Sequence, residues 1–209
     1  INNLYVLNQL GAKTFYPLIL VMVEKDFDEA EITQVLHKII SFTIRNFTIG
    51  GLVANKFEKS FATIARKLSD GEIITVKDIN GLISEEMVDD QKFMNDLALA
   101  SLSTEKTAKY VLSELAYPDD ESKIVLADVK VTYINENVEN KDRIGNKLLI
   151  TKEEAKSFKD SASRKQAVID GSKFEDTRKW ANKLNVMTSE EIDERQASWI
   201  RAALLIWAK

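Results

Sequence analysis

The sequence predicts a mostly α-helical fold: a helical bundle over residues 1–117, then a small α+β domain over residues 118–209. Three observations predict it. Apolar side chains recur at helical spacing through the first part. Pro118-Asp119-Asp120 interrupts that pattern, since proline restricts its neighbour and the acidic pair favours a turn. After it the period falls to two, with Val129, Val131 and Tyr133 alternating with Lys130 and Thr132, as in a strand.

Phe15 to Val23 is the longest apolar run. It is about half the ~20 residues of a membrane span and is expected to be a buried core helix. Ile32, Val35, Leu36, Ile39, Ile40 and Thr43 form one face of the next helix, which Gly50-Gly51 ends. A third helix is expected behind Asn55 as N-cap, with Phe57, Phe61, Ile64, Ala65 and Leu68 as its stripe and Asp70-Gly71 as its stop. Shorter helices are expected over Val76–Ser84, Asp90–Ala100 and Glu105–Ala116, the last capped by Thr104. Beyond the strand, an asparagine-rich loop over 135–140 leads to Ile144-Gly145-Asn146 and a second strand at Leu148-Leu149-Ile150. Helices resume after Thr151. Phe174, Thr177, Ala181 and Leu184 share one helical face with Trp180 at its edge. Thr188 and Glu191 have capping-box spacing ahead of a helix lined by Ile192, Trp199, Ala203 and Trp207. Aromatics at this spacing are read as core.

Several function classes are excluded. Gly50-Gly51 lacks the further glycines and the lysine of a phosphate loop, and no Gly-x-Ser-x-Gly elbow occurs. With no cysteine there are no disulfides or thiolate metal sites, which fits a reducing cytoplasm. The only histidine, His37, lies roughly 120–140° from the centre of its helix's apolar stripe and is expected to face solvent. The acidic pairs Asp89-Asp90, Asp119-Asp120, Glu153-Glu154 and Glu190-Glu191 fall at helix starts or turns, where negative charge is favourable without any metal.

Charge is unevenly distributed. Residues 1–140 carry a net −8, residues 141–183 a net +5, and residues 184–209 a net −1. A basic stretch of this kind reads either as a local nucleic-acid contact or as an ordinary solvated surface. The chain begins at Ile1, which suggests a piece of a longer protein.

Longer motifs point further. Gly11-Ala-Lys-Thr-Phe-Tyr-Pro-Leu-Ile-Leu20, Ser41-Phe-Thr-Ile-Arg-Asn-Phe-Thr-Ile-Gly50 and Lys59-Ser-Phe-Ala-Thr-Ile-Ala65 resemble the helical region of GmrSD-type restriction proteins. Lys109-Tyr-Val-Leu-Ser-Glu-Leu115 is similar to the helix that precedes their nuclease domain. Arg143-Ile-Gly-Asn-Lys-Leu-Leu-Ile150 and Thr188-Ser-Glu-Glu-Ile-Asp-Glu-Arg195, with Trp207, resemble the strand motif and closing helix of that domain. The resemblance implies modification-dependent restriction or phage defence. It implies a helical middle, a C-terminal HNH (His-Me finger) nuclease using a divalent metal, and an N-terminal nucleotide-binding domain as partner.

The sequence departs from that pattern where the chemistry lies. An HNH site needs a histidine to activate water. Here Ala127-Asp-Val-Lys-Val131 stands in its place, with Asp128 near the histidine position. Glu153-Glu-Ala-Lys-Ser157 replaces an asparagine-bearing segment, and Asn146 reads as a turn-shaping residue. Aspartate ordinarily titrates near 3.9, far from the roughly 6.5 of histidine. The expectation is therefore a degenerate HNH-like strand pair with no catalytic residue, no metal ligands and no cofactor. DNA contacts are expected at Lys147, Lys156, Lys159, Arg164 and Lys165. A pure interaction scaffold, including a homo-oligomer, and an active nuclease with a rearranged carboxylate site are the alternatives.

Overall fold

The computed structural model describes residues 3–53, 59–117, 125–158 and 162–209, without the side chains of 162–164. The protein is mostly helical, with one two-stranded antiparallel sheet among the described residues. Among the described residues no helix is long and apolar enough to cross a membrane. The chain divides into two compact units, Ile1–Asp96 with Leu204–Lys209, and Leu97–Ala203. The boundary expected from Pro118-Asp119-Asp120 lies outside the described residues, as do Asn55 and Phe57 of the expected third helix.

The first unit is built from α1 (Asn3–Gln9), α2 (Tyr16–Glu24), α3 (Glu29–Thr43), α4 (Ser60–Ser69), α5 (Val76–Glu85) and the start of α6 (Asp90–Leu99). α3 begins at a capping box, in which Asp28 accepts from the Glu31 amide and Glu31 reaches back. Its expected stripe is buried from Val35 to Thr43. α2 packs on α4, and α3 on α5 and α1. Phe42 meets the edge of Phe61 at 5.2 Å. α2 corrects one expectation. It buries Leu18 and Met22 but exposes Leu20 and Val23, because only one side of it lies against the unit.

After α3 the helix widens into a π-helical turn, Ile44–Ile49, before Gly50-Gly51 ends it. The wider turn carries two buried polar side chains. Arg45 donates to the Trp207 carbonyl (3.0 Å) and Asp90 (2.5 Å) and lies over the Phe93 ring. Asn46 donates to the Glu86 carbonyl and accepts from the Val88 amide, both at 2.9 Å.

The second unit holds the rest of α6, α7 (Glu105–Ala116), β1 (Val129–Tyr133), β2 (Lys147–Thr151), α8 (Lys152–Ser157), α9 (Ala162–Asp170), α10 (Glu175–Lys179) and α11 (Ser189–Ser198), and ends within α12 (Ile200–Ile206). α7 occupies the expected residues, but Thr104 makes no side-chain cap. α7 packs on both strands, with Ala108, Val111, Leu112 and Leu115 buried. The strands pair as Val129↔Thr151, Val131↔Leu149 and Tyr133↔Lys147. Leu148 and Ile150 enter a core with Ile134, Ile169, Ala181, Leu184, Met187 and Ile192. Leu149, of opposite parity, is also buried, so β2 is covered on both faces.

Two expected long helices are broken. The Phe174–Leu184 face is α10 followed by a 3₁₀ turn, Ala181–Lys183, yet its four residues remain buried. The last helix divides at Trp199, which caps α11 before α12 begins. Thr188 and Glu191 form the expected capping box.

Gly145 has its place because α11 runs against it. A Cβ there would sit 2.2 Å from the Ile192 carbonyl oxygen and 3.1 Å from its carbon. Both atoms are backbone and cannot rotate away. Gly145→Ala should therefore cost roughly 3 kcal/mol or more, read as a lowered urea midpoint. A change within experimental error would show that α11 is free to move off the strand turn.

Candidate functional site

The strand turn named by the resemblance places several buried polar side chains in the second unit's interior. Asn146, fully buried, donates from Nδ2 to the Asn135 carbonyl (2.7 Å) and the Lys141 carbonyl (2.9 Å). Its Oδ1 accepts from the Asn135 amide at 2.9 Å. One side chain thus closes both ends of the loop between the strands. Asn135 donates onward to the Met187 carbonyl at 3.0 Å.

α11 supplies the second half. Arg195 is buried, and one guanidinium nitrogen donates to the Gly145 carbonyl (2.6 Å) and the Lys147 carbonyl (2.9 Å). Another meets Asp176 at 2.5 Å. Its carbon lies 4.6 Å from the Trp199 ring centre and 5.2 Å from that of Trp180. Burial lowers its proton affinity, and Asp176 opposes the shift. Gln196 accepts from the Gly145 amide (2.9 Å) and donates to the Leu97 and Ala100 carbonyls (2.6 and 3.0 Å). Arg143 bonds the Ala98 carbonyl and Asp193.

A smaller cluster lies on β1. The Tyr133 hydroxyl donates to Asp142 at 2.8 Å, and Lys147 donates to the same oxygen at 2.9 Å. The Lys147 ammonium is 4.2 Å from the Tyr133 ring centre. Burial, with the adjacent Asp142 carboxylate, pushes the Tyr133 phenol up to about 12. The Lys147 hydrogen bond, with that of Tyr133, holds Asp142 below its ordinary value. Burial pulls Lys147 down, and Asp142 opposes it.

The expected residues are therefore dispersed. Asp128 is exposed at the end of a 3₁₀ turn, Leu126–Asp128. Glu153 is exposed on α8, while Glu154 accepts from the Thr151 amide in a capping box. Asn146 is spent on backbone. A divalent metal does not fit this turn, because the one oxygen Asn146 offers is already held by the Asn135 amide. Among the described residues no three His, Asp or Glu side chains are grouped to hold a metal ion. No family model, curated protein or solved structure matches the chain.

The expected DNA contacts fare unequally. Lys156 is exposed. Lys147 is buried and ion-paired, so it does not present its charge at the surface as expected. Lys165 bonds the Tyr133 carbonyl and Glu136, with its side chain 13% exposed. Lys159 and the Arg164 side chain lie outside the described residues. Lys152 and Lys156 on α8 and Lys173 are exposed cations. The Lys173 amide donates to Glu154 at 3.3 Å, which brings that turn beside the helix. His37 is exposed on α3, as its position on the wheel predicts.

Sequence reasoning missed Arg195 and Gln196. A signal was present: both fall between Ile192 and Trp199 at helical spacing, so they occupy the inward face.

Asn146→Ala should strand two buried backbone groups of Asn135 and the part-buried Lys141 carbonyl, at about 1–3 kcal/mol for each buried group. A loss of at least about 2 kcal/mol in urea unfolding is expected, and a near-neutral result would free Asn146 for another role. A second expectation concerns pH. A depressed carboxylate stabilises above its unfolded pKa, and that stability is lost as pH falls through the folded value. Melting temperature should therefore drop on acidification more steeply in wild type than in Asp142→Asn. Equal slopes would contradict the ion pair. At high pH, Tyr133→Phe should remove a phenolate absorbance step near 12.

Proposed function

We propose that this chain is a DNA-binding module of a GmrSD-like restriction or defence protein, non-catalytic at its HNH-like strand pair. The observation that carries this reading is the use of Asn146, whose every polar atom serves the loop backbone. A general base needs an accessible group titrating near working pH. The turn offers instead a bound amide, a buried guanidinium and a phenol pushed far above neutrality. Binding needs less: cations in reach of phosphate oxygens, without fixed reaction geometry. Lys152, Lys156 and Lys173 supply them in the basic stretch 141–183. Lys147 and Lys165 support the strands from within. The cytoplasm is the compartment this reading assigns, and an upstream nucleotide-binding domain is the partner it calls for.

Fluorescence anisotropy with duplex DNA tests the proposal. Affinity should fall with salt, and each lysine lost from the face should lower the salt slope by about 1. Lys156→Ala should do so, whereas Arg66→Ala, in the first unit, should not. Absence of binding at low salt to duplex or single-stranded DNA would sink it. Incubation with magnesium or manganese should leave DNA intact. Cleavage that is abolished by Asp128→Ala would instead establish a rearranged carboxylate site.

A further inference from the structure

α2 is unusual for a helix at the surface. From Thr14 to Val23 no residue is charged. Leu18 and Met22 are buried in the first unit, but Leu20 is 69% exposed, Val23 58% and Tyr16 48%. Pro17 is exposed beside them. Tyr16, Leu20 and Val23 stand at i, i+4 and i+7, so they form one continuous stripe. The Tyr16 ring stacks on Phe15 at 4.5 Å, which fixes it on that face. Among the described residues nothing covers the stripe.

The ends of this stripe carry opposite charge. Exposed Lys13 precedes the helix, where the helix dipole is also positive. Exposed Glu24 and Asp26 follow it. Lys25 between them leaves this end a net −1, and its ammonium is held toward the Ser69 carbonyl at 3.0 Å. An apolar stripe, positive at one end and negative at the other, is complementary to itself when turned end for end. That is the requirement of a two-fold interface.

We propose that α2 pairs antiparallel with α2 of a second copy of this chain, centred on Leu20. In that register Tyr16 faces Glu24 of the other copy, Pro17 faces Val23, and Lys13 lies beside Glu24 and Asp26. Three exposed side chains supply less than the ~800 Å² per partner of a standard stable interface. The dimer is therefore reversible and forms at micromolar rather than nanomolar concentration.

Sedimentation velocity of the full chain over a concentration series tests this. A monomer–dimer equilibrium is expected. Leu20→Glu should raise the dissociation constant roughly tenfold or more, with unchanged far-ultraviolet circular dichroism. Lys13→Glu and Glu24→Lys should each weaken the dimer, and the two together should restore it. A strictly monomeric wild type, a dimer indifferent to Leu20→Glu, or a double variant no better than the singles would each overturn the proposal.

Discussion

The second unit depends on Arg195. Its guanidinium touches the strand turn, α10 and the aromatic edge of α11 together. A buried cation is costly unless paired and hydrogen-bonded. Here Asp176 supplies the countercharge and the Gly145 and Lys147 carbonyls take two further bonds, while the buried Nε is left without a partner among the described residues. Gly145 lets α11 come close enough for those bonds, and Gln196 binds the Gly145 amide from the same helix face. Around that contact Asn146 and Asn135 close the loop, and Leu148, Ile150 and Ile192 supply the apolar core. Polar bonds set the register, while apolar burial provides the driving force.

The first unit solves a similar problem with a π-helical turn. Such turns often accompany functional sites. In this one the bonds lead to backbone and to one carboxylate, Asp90. Arg45 ties the turn to Trp207 and Asp90, and Asn46 ties it to the segment after α5. Each unit thus places an arginine and an asparagine in its interior and spends them on backbone carbonyls and amides and, for each arginine, one aspartate. This shared economy favours an architectural use of buried polarity over a chemical one.

Much of the fold was legible in the sequence. The stripes of α3 and α4, the limits of α7, the strand pair and the capping box at Thr188 follow from periodicity and local hydrogen bonding. Local rules reached less far where long-range contacts decide. The break at Trp199 and the π-helical turn depend on what the buried side chains must reach. Lys147 illustrates the limit for the site. Composition marks it as one more cation in a basic stretch, but strand alternation sets it opposite Tyr133, where Asp142 and the ring enclose it. The role of Asn146 could be read from its place beside a glycine in a turn, whereas Arg195 required its partners to be seen.

Native-state hydrogen exchange at the Asn135 and Gly145 amides tests the central claim most directly. Each is bonded to a buried side chain, Asn146 and Gln196 respectively. If these side chains hold the fold together, both amides should exchange only through global unfolding, with protection equal to that of the β2 amides. Exchange through local opening, well ahead of β2, would mean that the turn opens independently, as a substrate-accepting site does, and would contradict the account.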